Sequence, residues 1–256
     1  FSPDATRVAF VLANNLYFKD FRTGETTLIT SDGKWNEIIN GATDWVYEEE
    51  FAFDKGFQWS PYGDKIAFYR FDESKVKEFT MTNYRDDVYP EYVTFKYPKV
   101  GEDNSKVSIH VYDLKSEKTT KVEMANPMEY VPRIKWTMDP SELCVFNMNR
   151  HQNKMELLLA DANSGKTSVL MTESSKWYID IHDNLTFLKG GKFFVWTSEA
   201  DGWNHIYLYN MKGEVVNQIT KGDWEVTNFY GVDEAKNMVY FQAAKGSPMQ
   251  REIYSA

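Results

Sequence analysis

The chain has 256 residues, enough for one large core or two modest domains. Its 29 basic and 38 acidic residues leave a net charge of −9 with no Lys/Arg block, which argues against nucleic acid or an anionic membrane surface as a partner. One cysteine excludes a disulfide framework and any multi-cysteine metal site; Cys144 sits in the apolar run Leu143-Cys144-Val145-Phe146 and reads as a small core residue.

Aromatic residues make up 16% of the chain, and Tyr and Phe favour strands. Five segments share one pattern: an aromatic residue, a short polar turn, then an alternating apolar strand. They begin at Phe1, Trp59, Trp136, Phe187 and Phe229, so the steps are 58, 77, 51 and 42 residues. Such steps surround the ~40–50 residues of a propeller blade, and the two long ones leave room for inserts. After each start comes a second unit of strand, tight turn and strand. It is seen at Leu16-Tyr17-Phe18-Lys19-Asp20, Ile109-His110-Val111-Tyr112-Asp113, Leu157-Leu158-Leu159-Ala160-Asp161 and Ile206-Tyr207-Leu208-Tyr209-Asn210. Short strands parted by Gly, Asp and Ser predict an all-β chain: about four to five four-stranded antiparallel blades. Nothing in the chain has the pattern of a long amphipathic helix. The opening Phe1-Ser2-Pro3-Asp4, without an initiator Met or signal peptide, reads as a piece of something longer.

The two inserts span residues 35–57 and 73–105. Blade inserts project at one rim of a propeller, where function commonly sits. The first insert carries Asp44-Trp45-Val46-Tyr47-Glu48-Glu49-Glu50-Phe51, expected as a short helical segment. Three carboxylates stand together among Trp45, Tyr47, Phe51 and Phe53. Aromatic neighbours hold a segment against the fold, so these acids are expected to be fixed and partly shielded. Carboxylates held that way repel one another and attract a cation. A compact ammonium with three donors, such as a free peptide N-terminus, could bridge two of them. The alternative is a short, solvated acidic helix.

Other chemistry is missing from the sequence. There is no G-x-S-x-G nucleophile elbow, no H-E-x-x-H and no glycine-rich phosphate loop. His110, His151, His182 and His205 are scattered and read as structural or surface residues. Neighbouring glutamates rarely supply the set carboxyl separation of a glycosidase. The expectation is a cation-binding site with no cofactor, no metal and no bond-making machinery.

Asn40-Gly41-Ala42-Thr43-Asp44-Trp45-Val46-Tyr47-Glu48-Glu49-Glu50 with Trp59-Ser60-Pro61 resembles the N-terminal propeller of the dipeptidyl peptidase IV family, among the prolyl oligopeptidase-type serine peptidases. Tyr97-Pro98-Lys99-Val100-Gly101, Asp201-Gly202-Trp203-Asn204-His205 and Thr220-Lys221-Gly222-Asp223-Trp224-Glu225-Val226 extend the resemblance along the chain. It implies an eight-bladed propeller, of which residues 1–256 are a part, and a C-terminal α/β-hydrolase domain with a Ser-Asp-His triad outside this chain. It implies a parent enzyme that releases N-terminal dipeptides with Pro or Ala in second place. Glu49 and Glu50 would hold the substrate's free amine, with Asp44, Trp45, Tyr47 and Glu48 as motif scaffold. Phe51 and Phe53 would line the neighbouring pocket. Trp177 and Ile181 would have a minor part there, with core packing as the other reading. Peptides with a free N-terminus are the implied partners, and the parent is expected to be a homodimer, secreted or periplasmic and of bacterial type. The family's early blades, with its substrate-contacting arginine, have no counterpart here, and the chain alone is expected to be inactive. Two rival readings stand beside this one: a tripeptidyl relative, and a non-enzymatic propeller that binds peptides or protein partners.

Overall fold

Short alternating runs make antiparallel strands in this chain, and one kind of turn recurs between them. The structure, a computed structural model, describes residues 1–85 and 88–256. The first sheet holds β1 (Arg7–Leu12), β2 (Asn15–Asp20) and β3 (Thr26–Leu28) in that order. Then come β4 (Ile38–Asn40), the helix α1 (Trp45–Glu50), β5 (Phe57–Trp59) and β6 (Lys65–Asp72). A separate two-stranded ribbon, β7 (Glu78–Asn83) with β8 (Glu91–Lys96), precedes β9 (Lys106–Asp113) and β10 (Lys118–Lys121). The second sheet runs β10-β9-β6-β4, with β5 also paired to β6. Its backbone is the β6–β9 pairing, continuous from Lys65↔Asp113 to Asp72↔Lys106.

The third sheet is four-stranded, β11 (Ile134–Trp136), β12 (Glu142–Met148), β13 (Lys154–Asp161) and β14 (Thr167–Ser174). So is the fourth, β15 (Thr186–Phe187), β16 (Phe193–Ser198), β17 (His205–Asn210) and β18 (Val215–Gln218). The last holds β19 (Val226–Asp233), β20 (Met238–Ala243) and β21 (Glu252–Ser255). The all-β, blade-type architecture expected from the repeat is therefore present, with a short helix carrying the glutamates. Strand number varies more than the repeat suggested: the first and last sheets have three strands and the second has five. The second insert, whose internal structure the sequence left open, forms the β7–β8 ribbon.

The chain packs as two compact units, Phe1–Met124 with Asp161–Lys166, and Ala125–Ala160 with Thr167–Ala256. In the first, Leu16, Phe18, Phe57, Ile66 and Phe68 form a common core. In the second, the run Phe194-Val195-Trp196 serves two cores. Phe194 and Trp196 pack with Phe146, Met155 and Leu157 on one face, and Val195 packs with Ile206, Val226 and Phe241 on the other. Side chains alternate along a strand, so a continuous apolar run needs cover on both faces, and neighbouring sheets supply it. Cys144 lies wholly inside the first of these two cores, and burial pushes its thiol pKa well up. That is the chemistry of an inert packing residue.

Hairpin turns repeat one device. Asp20 Oδ1 accepts from the Arg22 N–H at 2.8 Å, Asp113 Oδ1 from Ser116 at 2.7 Å, Asp161 Oδ1 from Ser164 at 2.6 Å and Asn210 Oδ1 from Lys212 at 2.9 Å. An acidic or amide side chain at the strand end thus folds the backbone over itself. Gly24 and Gly213 occupy the matching left-handed position in two of these turns, at φ 77° and 76°. Their surroundings differ. A Cβ on Gly213 would sit 1.9 Å from the Leu170 carbonyl oxygen on β14, whereas a Cβ on Gly24 meets nothing within 4 Å.

This difference gives a prediction. Gly24→Ala should cost only the conformational penalty of about 1 kcal/mol. Gly213→Ala adds a backbone collision and should cost about 3 kcal/mol or more. Urea unfolding of both variants checks it; equal losses would contradict the close approach of turn and strand.

Candidate functional site

The glutamate helix rides on a loop that is closed at its base by backbone alone. β4 ends on β6 at Asn40↔Arg70, and the chain leaves the sheet at Gly41. The Gly41 N–H bonds the Tyr69 carbonyl at 2.9 Å, the Gly56 N–H bonds the Gly41 carbonyl at 3.0 Å, and the Tyr69 N–H bonds the Gly56 carbonyl at 2.8 Å. Both ends of the loop are therefore tied to one point on β6. A Cβ at Gly56 would lie 2.9 Å from the Ala42 carbonyl, so the neck depends on its being glycine. Within the loop the Thr43 hydroxyl donates to the Phe53 carbonyl at 3.1 Å.

α1 has six residues, far too few to be stable alone. Two features hold it. Asp44 is its N-cap: Oδ1 accepts from the Tyr47 N–H at 3.0 Å, and Oδ2 accepts from the Ser105 hydroxyl at 2.6 Å. Ser105 is 61 residues away, so this bond ties the cap to the segment entering β9. Tyr47 then anchors the inner face. It is 1% exposed and meets the edges or faces of Phe51, Phe53, Tyr69 and Phe71 at 4.8–6.3 Å. Tyr47 and Phe51 stand four residues apart, one above the other on the buried side. Trp45 at the outer start of the helix meets Tyr97 edge-on at 4.3 Å.

Glu48, Glu49 and Glu50 all project into solvent. The expected aromatic shielding of these three acids is therefore not found: the aromatic rings lie beneath the helix, and the shielded acid is Asp44, 5% exposed. The reason is helical geometry. With the Tyr47–Phe51 side turned inward, the intervening residues must point away from it. Their exposure is that of a solvated helix; their backbone is fixed by cap, neck and ring. Among the described residues none of the three forms an ion pair or a side-chain hydrogen bond. Glu48 lies in the first turn, where the helix dipole welcomes a negative charge. Glu49 and Glu50 lie at the opposite end, with no basic residue in the last turn. There the dipole and the carboxylates have the same sign, an arrangement that a bound cation relieves.

The remaining candidates separate. Phe51 is buried under the helix, whereas Phe53 is half-exposed on the same loop, tilted against Tyr69 at 5.3 Å. Trp177 and Ile181 belong to the second compact unit. Trp177 is 77% exposed with the Lys176 ammonium 4.7 Å above its ring, so it is no core residue. Ile181 packs against the core that contains Trp196. The histidines have structural surroundings. His182 contacts the Thr197 carbonyl oxygen through Nε2 at 2.9 Å, and burial brings its pKa down to about 4. His110 is likewise lowered to about 4, first by burial and then by Lys121 and Arg70. His205, fully buried, lies between the Thr220 hydroxyl and the Gly222 carbonyl. His151 is exposed. Sequence reasoning had no means of finding Ser105, Tyr69 or Phe71 as supports of the helix, since each comes from a distant segment and only the fold brings it near.

Residues 1–256 match the family described as the dipeptidyl peptidase IV (DPP IV) N-terminal region. Curated relatives include a probable dipeptidyl peptidase 4 of Emericella nidulans, 29% identical over 99% of this chain and 35% of its own length. Dipeptidyl peptidase 4 of Trichophyton rubrum is 30% identical over 99% of this chain and 34% of its own. The chain thus spans about a third of the curated relatives it matches. A crystal structure of Porphyromonas gingivalis dipeptidyl peptidase 4 superposes with a TM-score of 0.94 at 42% identity, over 100% of this chain and 36% of that one. A putative dipeptidyl aminopeptidase IV from Bacteroides ovatus shares the fold, with a TM-score of 0.78 at 23% identity, over 99% of this chain and 43% of that one.

The helix ends in a strained residue: Ala52, directly after Phe51, has φ 55°. Glycine is the residue suited to that position. Ala52→Gly should therefore raise stability by about 0.5–1 kcal/mol. Asp44→Ala, which removes the cap, should lower it by about 1–2 kcal/mol. Thermal unfolding checks both; a loss of stability in Ala52→Gly would contradict the strained cap.

Proposed function

Because the chain belongs to the dipeptidyl peptidase IV N-terminal-region family, we propose that it is the substrate-anchoring part of a serine exopeptidase that releases N-terminal dipeptides, with Glu49 and Glu50 holding the substrate's free amine. One observation carries this reading. Three exposed carboxylates, free of ion pairs among the described residues, stand on a helix whose backbone is immobilised by a buried cap and a buried tyrosine. Flexible surface acids lose side-chain entropy when they bind; acids on a fixed backbone lose less.

An α-ammonium is a compact cation with three donors, suited to two carboxylates presented by adjacent residues. The negative end of the helix dipole adds to the attraction at Glu49 and Glu50. Holding the amine sets the distance from the peptide's N-terminus to the bond to be cut. The contribution is one of positioning, and a catalytic α/β-hydrolase domain elsewhere in the parent would supply nucleophile, base and oxyanion hole. Half-exposed Phe53 is offered as a wall beside the pair. A secreted or periplasmic location, where peptides with free N-termini are available, suits this role.

In the full-length parent, Glu49→Gln or Glu50→Gln should lower kcat/KM for a Gly-Pro amide at least tenfold, about 1.4 kcal/mol or more. Acetylating the substrate's amine should produce a similar loss in the unaltered enzyme and little further loss in the variants. Equal cleavage of free and acetylated substrates would rule out the anchor.

A further inference from the structure

The two inserts meet at the start of the glutamate helix. Two side chains of the second insert reach residues of the first. Ser105 donates to the cap carboxylate of Asp44 at 2.6 Å, and the Tyr97 ring stands edge-on to Trp45 with centroids 4.3 Å apart. Tyr97 is itself held from several sides. Its N–H bonds the Lys77 carbonyl at 3.0 Å, and Pro98 after it confines its backbone to the extended region. Its ring meets Phe79 at 5.6 Å and Phe95 at 6.3 Å, a pair that face each other across the β7–β8 ribbon at 5.9 Å. The Lys99 ammonium covers the same group, 4.3 Å from the Phe79 ring centre and 4.7 Å from that of Tyr97. Tyr97 is therefore an abutment fixed by the base of the ribbon, and the outer start of α1 leans against it.

The place of Trp45 matters because of what shares its face. Trp45 and Glu49 stand four residues apart, so they lie on one side of the helix. A long side chain in a helix leans back toward the turn before it. The Trp45 indole therefore occupies the side toward which Glu49 extends. Trp45 is 37% exposed, so burial alone does not hold its ring; the edge-on contact with Tyr97 does. Glu50 is partnered by the same spacing with Val46, a smaller side chain that offers no such wall.

We infer that Tyr97 is a positioning residue for the amine anchor, acting through Trp45 on Glu49 and not on Glu50. Tyr97 holds the indole beside Glu49, and the indole narrows the directions open to that carboxylate. An exposed glutamate has rotamer freedom to lose on binding, and a fixed wall removes part of it beforehand. This deepens the amine-anchor reading and rests on it.

The test uses the full-length parent and the ratio of kcat/KM for a free Gly-Pro amide to that for its acetylated form. Both substrates are read on one preparation, so a loss of folded enzyme cancels. Tyr97→Leu should lower the ratio severalfold, and Tyr97→Phe, which keeps the ring, should restore it. Trp45→Leu removes the other partner without touching the ribbon and should give the same fall; the double variant should show no more than either single one. Tyr97→Leu should add little to Glu49→Gln and should keep its full effect on top of Glu50→Gln. A ratio unchanged in Tyr97→Leu or in Trp45→Leu overturns the inference, as does an equal added loss in both glutamate variants. If Glu49→Gln lowers the ratio and Tyr97→Leu does not, the bracket falls and the anchor stands. If the unaltered enzyme cleaves free and acetylated substrates alike, the anchor falls and takes the bracket with it.

Discussion

Burial of the Tyr47 ring is the interaction on which the site depends. A helix of six residues has too few internal hydrogen bonds to offset its nucleation cost. It exists here because one large aromatic side chain is inserted among Phe51, Phe53, Tyr69 and Phe71, two of which lie on β6. β6 is also the central partner of β9, β4 and β5, so the helix is referred directly to the most extensively paired strand of its sheet. The loop neck closes on Tyr69 of that same strand. Ring, neck and cap therefore fix one short element from three directions.

That support allows an arrangement that local preference opposes. Three consecutive acids repel one another, and two of them stand at the wrong end of the helix dipole. The residue that ends the helix is an alanine in a left-handed conformation. The acid that caps the helix, Asp44, is itself buried. Local disagreement of this kind, confined to one loop of an otherwise regular sheet structure, is characteristic of a place where binding outweighs stability.

Much of the architecture was legible in the sequence because it rests on local rules. Period-two alternation located the strands, and the aromatic-turn-strand repeat located the sheets; the short strands β5 and β11 end on Trp59 and Trp136, where two repeats begin. Cys144 was readable from its apolar neighbours alone. What escaped depended on three-dimensional placement. The shielding of the glutamates was misjudged because nearness in sequence to aromatic residues does not say which side of a helix they occupy; the Tyr47–Phe51 spacing contained that information. Trp177 was open to a core reading by its hydrophobicity, yet it lies in the loop after β14 with its ring in solvent. Ser105 carried no local signal, since an isolated hydroxyl acquires its role only when folding sets it against Asp44.

The account turns on whether the outer pair receives an ammonium. A crystal structure of the full-length parent with a bound X-Pro dipeptide tests that most directly. The account predicts the α-amino nitrogen at about 3 Å from carboxylate oxygens of both Glu49 and Glu50, with α1 in the place described. A dipeptide bound productively with its amine contacting neither glutamate would contradict it.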